Sequence, residues 1–117
     1  MKAAISMLLI LLVLGCSDDV TTRYATYADA QKERLFEKGW LPDILPRSTE
    51  SIEVTNNLDI NRSEGRFIIE GSEINEFLEK VEKTGKANQF SFTNESGKWV
   101  FTLNEAGLIL YQFTPID

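Results

Sequence analysis

The chain has 117 residues, 18 of them acidic and 12 basic, for a net charge of −6, with one cysteine and no histidine. This length suits a single domain, and the acidic excess opposes binding to nucleic acid or anionic lipid through bulk electrostatics. Without histidine there is no Ser-His-Asp triad, no Cys-His pair and no histidine-based zinc site, and one thiol cannot form an internal disulfide.

At the N-terminus, Met1-Lys2 is followed by an apolar run over residues 3–14 and then by Gly15-Cys16. One positive charge, a short apolar stretch and a small residue before a cleavage point describe an export signal. The run is far shorter than the roughly 20 residues that a membrane-spanning helix needs. Val13-Leu14-Gly15-Cys16 resembles the lipobox of bacterial lipoproteins. That resemblance implies cleavage between Gly15 and Cys16, a diacylglycerol thioether on Cys16, and a third acyl chain such as palmitate on the new amine. Several chains together make a stable anchor where one is marginal. Ser17 follows the cysteine, which by the same resemblance directs the protein to the outer membrane, facing the periplasm; Asp18 and Asp19 leave the inner membrane open, as well as the cell surface. The expected organisation is a signal peptide at 1–15, a lipidated terminus and short tether at 16–23, and one domain at 24–117. Loss of Lys2 with the signal leaves 11 basic residues against 18 acidic ones, an excess that serves solubility.

A first helix is predicted over residues 27–38, because Thr26 and Asp29 form a Thr-x-x-Asp start and Gly39 suits a left-handed C-terminal cap. Its apolar stripe of Ala28, Leu35 and Phe36 is narrow, so it needs packing from elsewhere. Residues 39–46 form a rigid connector, with Pro42 and Pro46 limiting the backbone and Trp40, Leu41, Ile44 and Leu45 supplying apolar cover. Gly39-Trp40-Leu41-Pro42, the second proline, Ser48, Ile52 and the Asp59-x-Asn61 segment together resemble a motif of small, functionally uncharacterised bacterial lipoproteins. The resemblance implies no activity.

Residues 51–57 read as a strand with Ile52 and Val54 on one face, paired across a turn at 59–65 with a second strand at 66–70. Ser72 is expected to cap a helix over 73–83, in which Ile74, Phe77, Leu78 and Val81 recur at the spacing of one buried face. Three further strands are expected at 89–93, 98–103 and 108–113, joined by Asn94-Glu95-Ser96-Gly97 and Asn104-Glu105-Ala106-Gly107. The order α-β-β-α-β-β-β defines an α+β domain with a mainly antiparallel sheet. If both turns use the same three-residue loop, Asn94 opposes Lys98 and Asn104 opposes Leu108. Phe90, Phe92, Val100, Leu108 and Leu110 then share one face, and Trp99, Phe101, Leu103, Ile109, Tyr111 and Phe113 the other. Both faces would be apolar. One would need cover from the first helix and the connector, or from a partner, and Trp40, Leu41, Phe92 and Trp99 are the candidate interaction surface.

Chemistry is sparse. Carboxylate pairs such as Asp59 with Glu64 or Glu70, and Glu73 with Glu76, read as solvated side chains. Asp59, Asn61, Ser63 and Glu70 fall at positions one, three, five and twelve of a calcium-type loop. However, Gly65 falls at position seven instead of six and Arg62 adds a positive charge, so the segment reads as a plain turn, with no metal or cofactor. The resulting expectation is a non-enzymatic, membrane-tethered binding or interaction module of the cell envelope. Its expected partners are the membrane, through lipid on Cys16, and an envelope protein, with no nucleic acid. A tethered inhibitor or small-ligand sensor is the alternative, and a carboxylate enzyme ranks third.

Overall fold

In the computed structural model, residues 19–57 and 62–116 are described. The described residues open on strand β1 (Asp19–Thr26), so residues 19–23, expected as tether, are part of the sheet. Helix α1 (Tyr27–Lys32) follows, with the Thr26 side chain accepting a hydrogen bond from the Asp29 backbone N–H at 3.1 Å as the Thr-x-x-Asp pattern predicts.

The helix is shorter than the expected 27–38. Arg34 takes a positive φ of 62°, its N–H bonds the Gln31 carbonyl at 3.0 Å, and the Leu35 N–H bonds the Ala30 carbonyl at 3.3 Å. These are the two bonds of a Schellman ending, which turns Leu35 into the core beside Ala30. A second ending of the same kind follows at Gly39, where the Trp40 N–H reaches the Leu35 carbonyl at 3.0 Å. Gly39 therefore does cap a helical turn, but a separate one. The narrow apolar stripe explains the break: a continuous helix would bury too little, and bending the chain brings Leu35 to 1% exposure.

Strands β2 (Glu50–Asn57) and β3 (Arg62–Ile68) are antiparallel neighbours, and β1 pairs with the other side of β2. Strand β3 starts four residues before the expected position and ends at Ile68. A 3₁₀ turn at Gly71–Glu73 then leads into helix α2 (Ile74–Leu78), which is much shorter than the expected 73–83. Ser72 does not cap it, because its hydroxyl donates to the Glu70 carboxylate at 3.3 Å. Residues 82–83, expected to be helical, form the short strand β4 (Glu82–Lys83) against β5 (Gln89–Asn94). Strands β6 (Gly97–Leu103) and β7 (Leu108–Pro115) complete a seven-stranded antiparallel sheet in the order β1-β2-β3-β7-β6-β5-β4. The class is α+β, as the pattern of elements predicts.

Register decides the faces. Between β6 and β7 the expected offset holds, with Leu103 opposite Ile109 and Trp99 opposite Phe113. Between β5 and β6, Asn94 opposes Gly97 and not Lys98, because only Glu95 and Ser96 lie in the turn. The Asn94 side chain closes it by accepting from the N–H groups of Ser96 and Gly97. This shift of one residue moves Phe90 and Phe92 onto the face of Trp99 and Phe101. The two-faced apolar sheet is thereby corrected: one face collects the aromatic residues and the other is mainly polar.

Over the apolar face lie α1, the connector and α2, contributing Ala30, Leu35, Leu41, Leu45 and Phe77 to a core with Ile52, Val54, Phe67, Trp99, Phe101 and Tyr111. Phe77 from α2 meets Phe101 edge-on at 5.2 Å and 84°, and Phe67 at 6.4 Å and 80°. Each such pair adds about 0.5–1.5 kcal/mol beyond simple burial. Gly107 at φ 80° completes the turn before β7. Its carbonyl accepts from the Ile69 N–H at 3.0 Å, and a Cβ there would collide with the Ile69 carbonyl oxygen. Among the described residues, no helix is long and apolar enough to cross a membrane.

Candidate binding face of the sheet

The candidate interaction residues fall on the covered side. Trp99 and Leu41 are buried in the core at 0% and 1% exposure, which removes them from any surface of this chain. The Trp99 indole N–H donates to the Trp40 carbonyl at 3.3 Å, pinning the connector to β6. Trp40 and Phe92 are half-buried and pack on the same core; the Lys38 ammonium lies 5.3 Å above the Trp40 ring. These four residues therefore join the connector to the sheet. This face is covered from within the chain, by α1, the connector and α2.

Of the calcium-type loop, Asp59 and Asn61 lie outside the described residues, as do Gly15 and Cys16. Ser63 is buried on the core face of β3, its hydroxyl 3.5 Å from that of Tyr111. Glu70 lies beyond the opposite end of β3. Seven residues of nearly extended chain separate them by roughly 20 Å, so Ser63 and Glu70 cannot ligate one ion. Glu64, from the proposed carboxylate pairs, is exposed on the other face of β3, and Glu73 accepts the Ser48 hydroxyl at 2.7 Å, joining the segment before β2 to the 3₁₀ turn that leads into α2. Among the described residues, no three acidic, cysteine or histidine side chains group as metal ligands.

Among the described residues, Tyr111 is the most perturbed titratable group. Burial raises its phenol far above the ordinary value, with the Ser63 hydrogen bond opposing and the Glu64 charge adding to the shift. A phenol held neutral in an apolar layer is a structural group. It has no access to a reacting molecule.

What remains open is the reverse face of the sheet, over which the described residues place no helix. Alternation puts Thr21 and Arg23 of β1, Glu53 and Thr55 of β2, Glu64 and Arg66 of β3, Leu110 and Gln112 of β7, and Val100 and Thr102 of β6 on it. Glu53 bridges two arginines, with Arg23 Nη2 at 3.0 Å and Arg66 Nε at 3.1 Å. Thr21 and Thr55 share a hydrogen bond of 2.8 Å between hydroxyls, and the Asn57 side-chain amide donates to Asp19 at 2.8 Å. Beside this polar ladder the twisted sheet leaves a concave groove of about 640 Å³ running from Glu53 across Leu110 to Gln89.

The charge on this face is balanced across β1 to β3: Asp19, Glu53 and Glu64 stand against Arg23, Arg62 and Arg66. The acidic excess lies mainly around α2, where Glu70, Glu73, Glu76, Glu79 and Glu82 stand against Lys80 and Lys83. Hydrogen-bonding side chains around a modest apolar centre suit reversible contact with a polar surface. Sequence reasoning grouped Val100 and Leu110 on one face and read Glu64 as solvated, but missed the polar ladder beside them because alternating threonine, glutamine and charge is what any solvated strand face shows.

The fold is thus a one-layered antiparallel sheet with helices and a connector on one side and an open groove on the other. Residues 18–68 match a protein-family model described as the YbbD head domain. That stretch spans β1, α1, the connector, β2 and β3, which are contiguous in the sheet, and it ends before α2 and the C-terminal strands. No curated protein and no solved structure matches the chain.

Proposed function

We propose that the protein is a membrane-tethered lipoprotein of the bacterial cell envelope that acts as a non-enzymatic binding module through the open face of its sheet. The observation that carries the proposal is the groove of about 640 Å³ on a sheet face over which the described residues place no helix. The lipobox-like Val13-Leu14-Gly15-Cys16 supports the tether, with lipid on Cys16 and residence in the outer membrane. The YbbD head domain likeness is in keeping with an envelope setting. With the N-terminal end of β1 three residues from Cys16, the domain is held close to the bilayer and its reach is short.

Two variants of the full chain test the two halves of this reading. Cys16→Ser should leave unprocessed precursor that labels with no fatty acid; processing and membrane retention like the parent would refute the tether. For the binding face, Thr102→Arg fills the groove without touching the core. Co-purification from detergent-solubilised envelope should recover a partner with the parent chain and lose it with this variant. Equal recovery would refute the face, and a bound metal or small molecule would favour a tethered sensor.

A further inference from the structure

The two edges of the sheet are unlike. At one end β4 has two residues, a length that discourages further pairing. At the other, β1 runs for eight residues without proline, and it pairs with β2 in constant register from Asp19 opposite Asn57 to Thr26 opposite Glu50. Among the described residues, no strand occupies its outer side. A long, regular, unbulged edge is a template for another strand, and natural sheets normally blunt one with charge, proline or a bulge.

The charges on β1 are Asp19 and Arg23, four residues apart and so on the same face. They have opposite signs, which changes what the edge selects. If a second copy of β1 lies antiparallel with Thr21 opposite Thr21, then Asp19 of each copy opposes Arg23 of the other. Both ion pairs form on the groove side of the sheet. Arg23 is 76% exposed and shares the single carboxylate of Glu53 with Arg66, so a second carboxylate is wanted at this edge. Asp19 of the second copy supplies it and extends an alternating row of Asp, Arg, Glu and Arg across four strands. On the other face, Val20, 49% exposed, would lie opposite Thr22 and diagonal to Val20 and Tyr24 of the second copy. Moving the centre to Arg23 would instead set like charges against each other. Centring on Thr21 also keeps the two α1 helices apart, because Tyr27 lies six residues, or roughly 20 Å, from that centre.

We infer that the free edge of β1 binds a second copy of this chain, in an antiparallel two-fold pair centred on Thr21 with reciprocal Asp19–Arg23 contacts. The inference goes beyond the binding-face reading and does not rest on it. It also makes an isologous interface, which closes and does not propagate into a fibre.

The experiment uses the full chain in detergent, with mass in solution measured by sedimentation. The parent should be a dimer. Asp19→Arg, which sets arginine against arginine twice, should weaken the dimer about tenfold or more, and Arg23→Asp should do the same by setting aspartate against aspartate. Mixed in equal amounts, the two variants should pair with each other, because arginine at 19 of one then meets aspartate at 23 of the other, while the native Arg23 and Asp19 meet in the second place. Circular dichroism identical to the parent establishes that both variants fold, and the mixture reads pairing even where Arg23→Asp loosens the contact with Glu53. A monomeric parent, or Asp19→Arg dimerising as well as the parent, overturns the inference. Single variants that are monomeric and stay so when mixed overturn the register.

Discussion

Gly65 shows how one residue can hold a sheet together by having no side chain. It sits on the core face of β3 between Val54 and Tyr111, and a Cβ there would meet the Glu53 backbone carbonyl and come within 2.9 Å of the Tyr111 ring. Neither neighbour yields readily, since one is backbone of the adjacent strand and the other is packed in the core. Gly65→Ala should cost about 2–3 kcal/mol of stability, read as a lower midpoint in urea unfolding. Tyr111 makes a second prediction. Its folded phenol titrates above the ordinary value of 10.0, so its contribution to stability is complete below that pH and is lost as pH rises beyond it. In a spectrophotometric titration, Tyr111 phenolate should appear only as the protein unfolds, and Tyr111→Phe should reduce the alkaline loss of stability. A Tyr111 that ionises at its ordinary value with the fold intact would contradict this.

At the scale of the element, the turns were harder to read than the strands. Ile52 and Val54, Phe67 and Ile69, and the run from Trp99 to Phe113 announce buried strands through alternation. The Asn-Glu-Ser-Gly turn admits loops of two or three residues, and only the Asn94 side chain bonding two successive N–H groups settles it. Neighbours on β7 test the outcome, because Ile109 is 1% exposed and Leu110 is 39% exposed. Ile109→Ala should cost about 2–4 kcal/mol and Leu110→Ala less than about 1 kcal/mol. Equal costs would mean that both faces are covered. The helices are short for a related reason: apolar spacing marks which residues are buried, not how far the backbone stays helical. Thr26→Ala should still cost about 1 kcal/mol in thermal unfolding, since the cap at the start of α1 is made as expected.

For the whole molecule, the sequence by itself determined an acidic chain with an α+β order of elements and no histidine among its 117 residues, and it carries the lipobox-like motif on which the proposed anchor at Cys16 rests. These rest on composition, alternation and local turn residues, which act over a few positions and are visible without a fold. It also contained much of the core, since Phe77, Phe101 and Ile109 declare themselves by periodicity, whereas the burial of Trp99, a candidate surface residue, came only from the structure. Only the tertiary structure decided which strand face stays open, because a register shift of one residue sent Phe90 and Phe92 to the aromatic side and left the other face to threonine, glutamine and paired charge. It alone placed residues 19–23 in the sheet, where Asp19 and Arg23 lie on a strand that pairs with β2 on one side and with no described strand on the other, instead of in a tether. Strand pairing joins residues such as Asp19 and Asn57 that are far apart in sequence, and it depends on every other strand having found its neighbour; no local pattern along the chain encodes it.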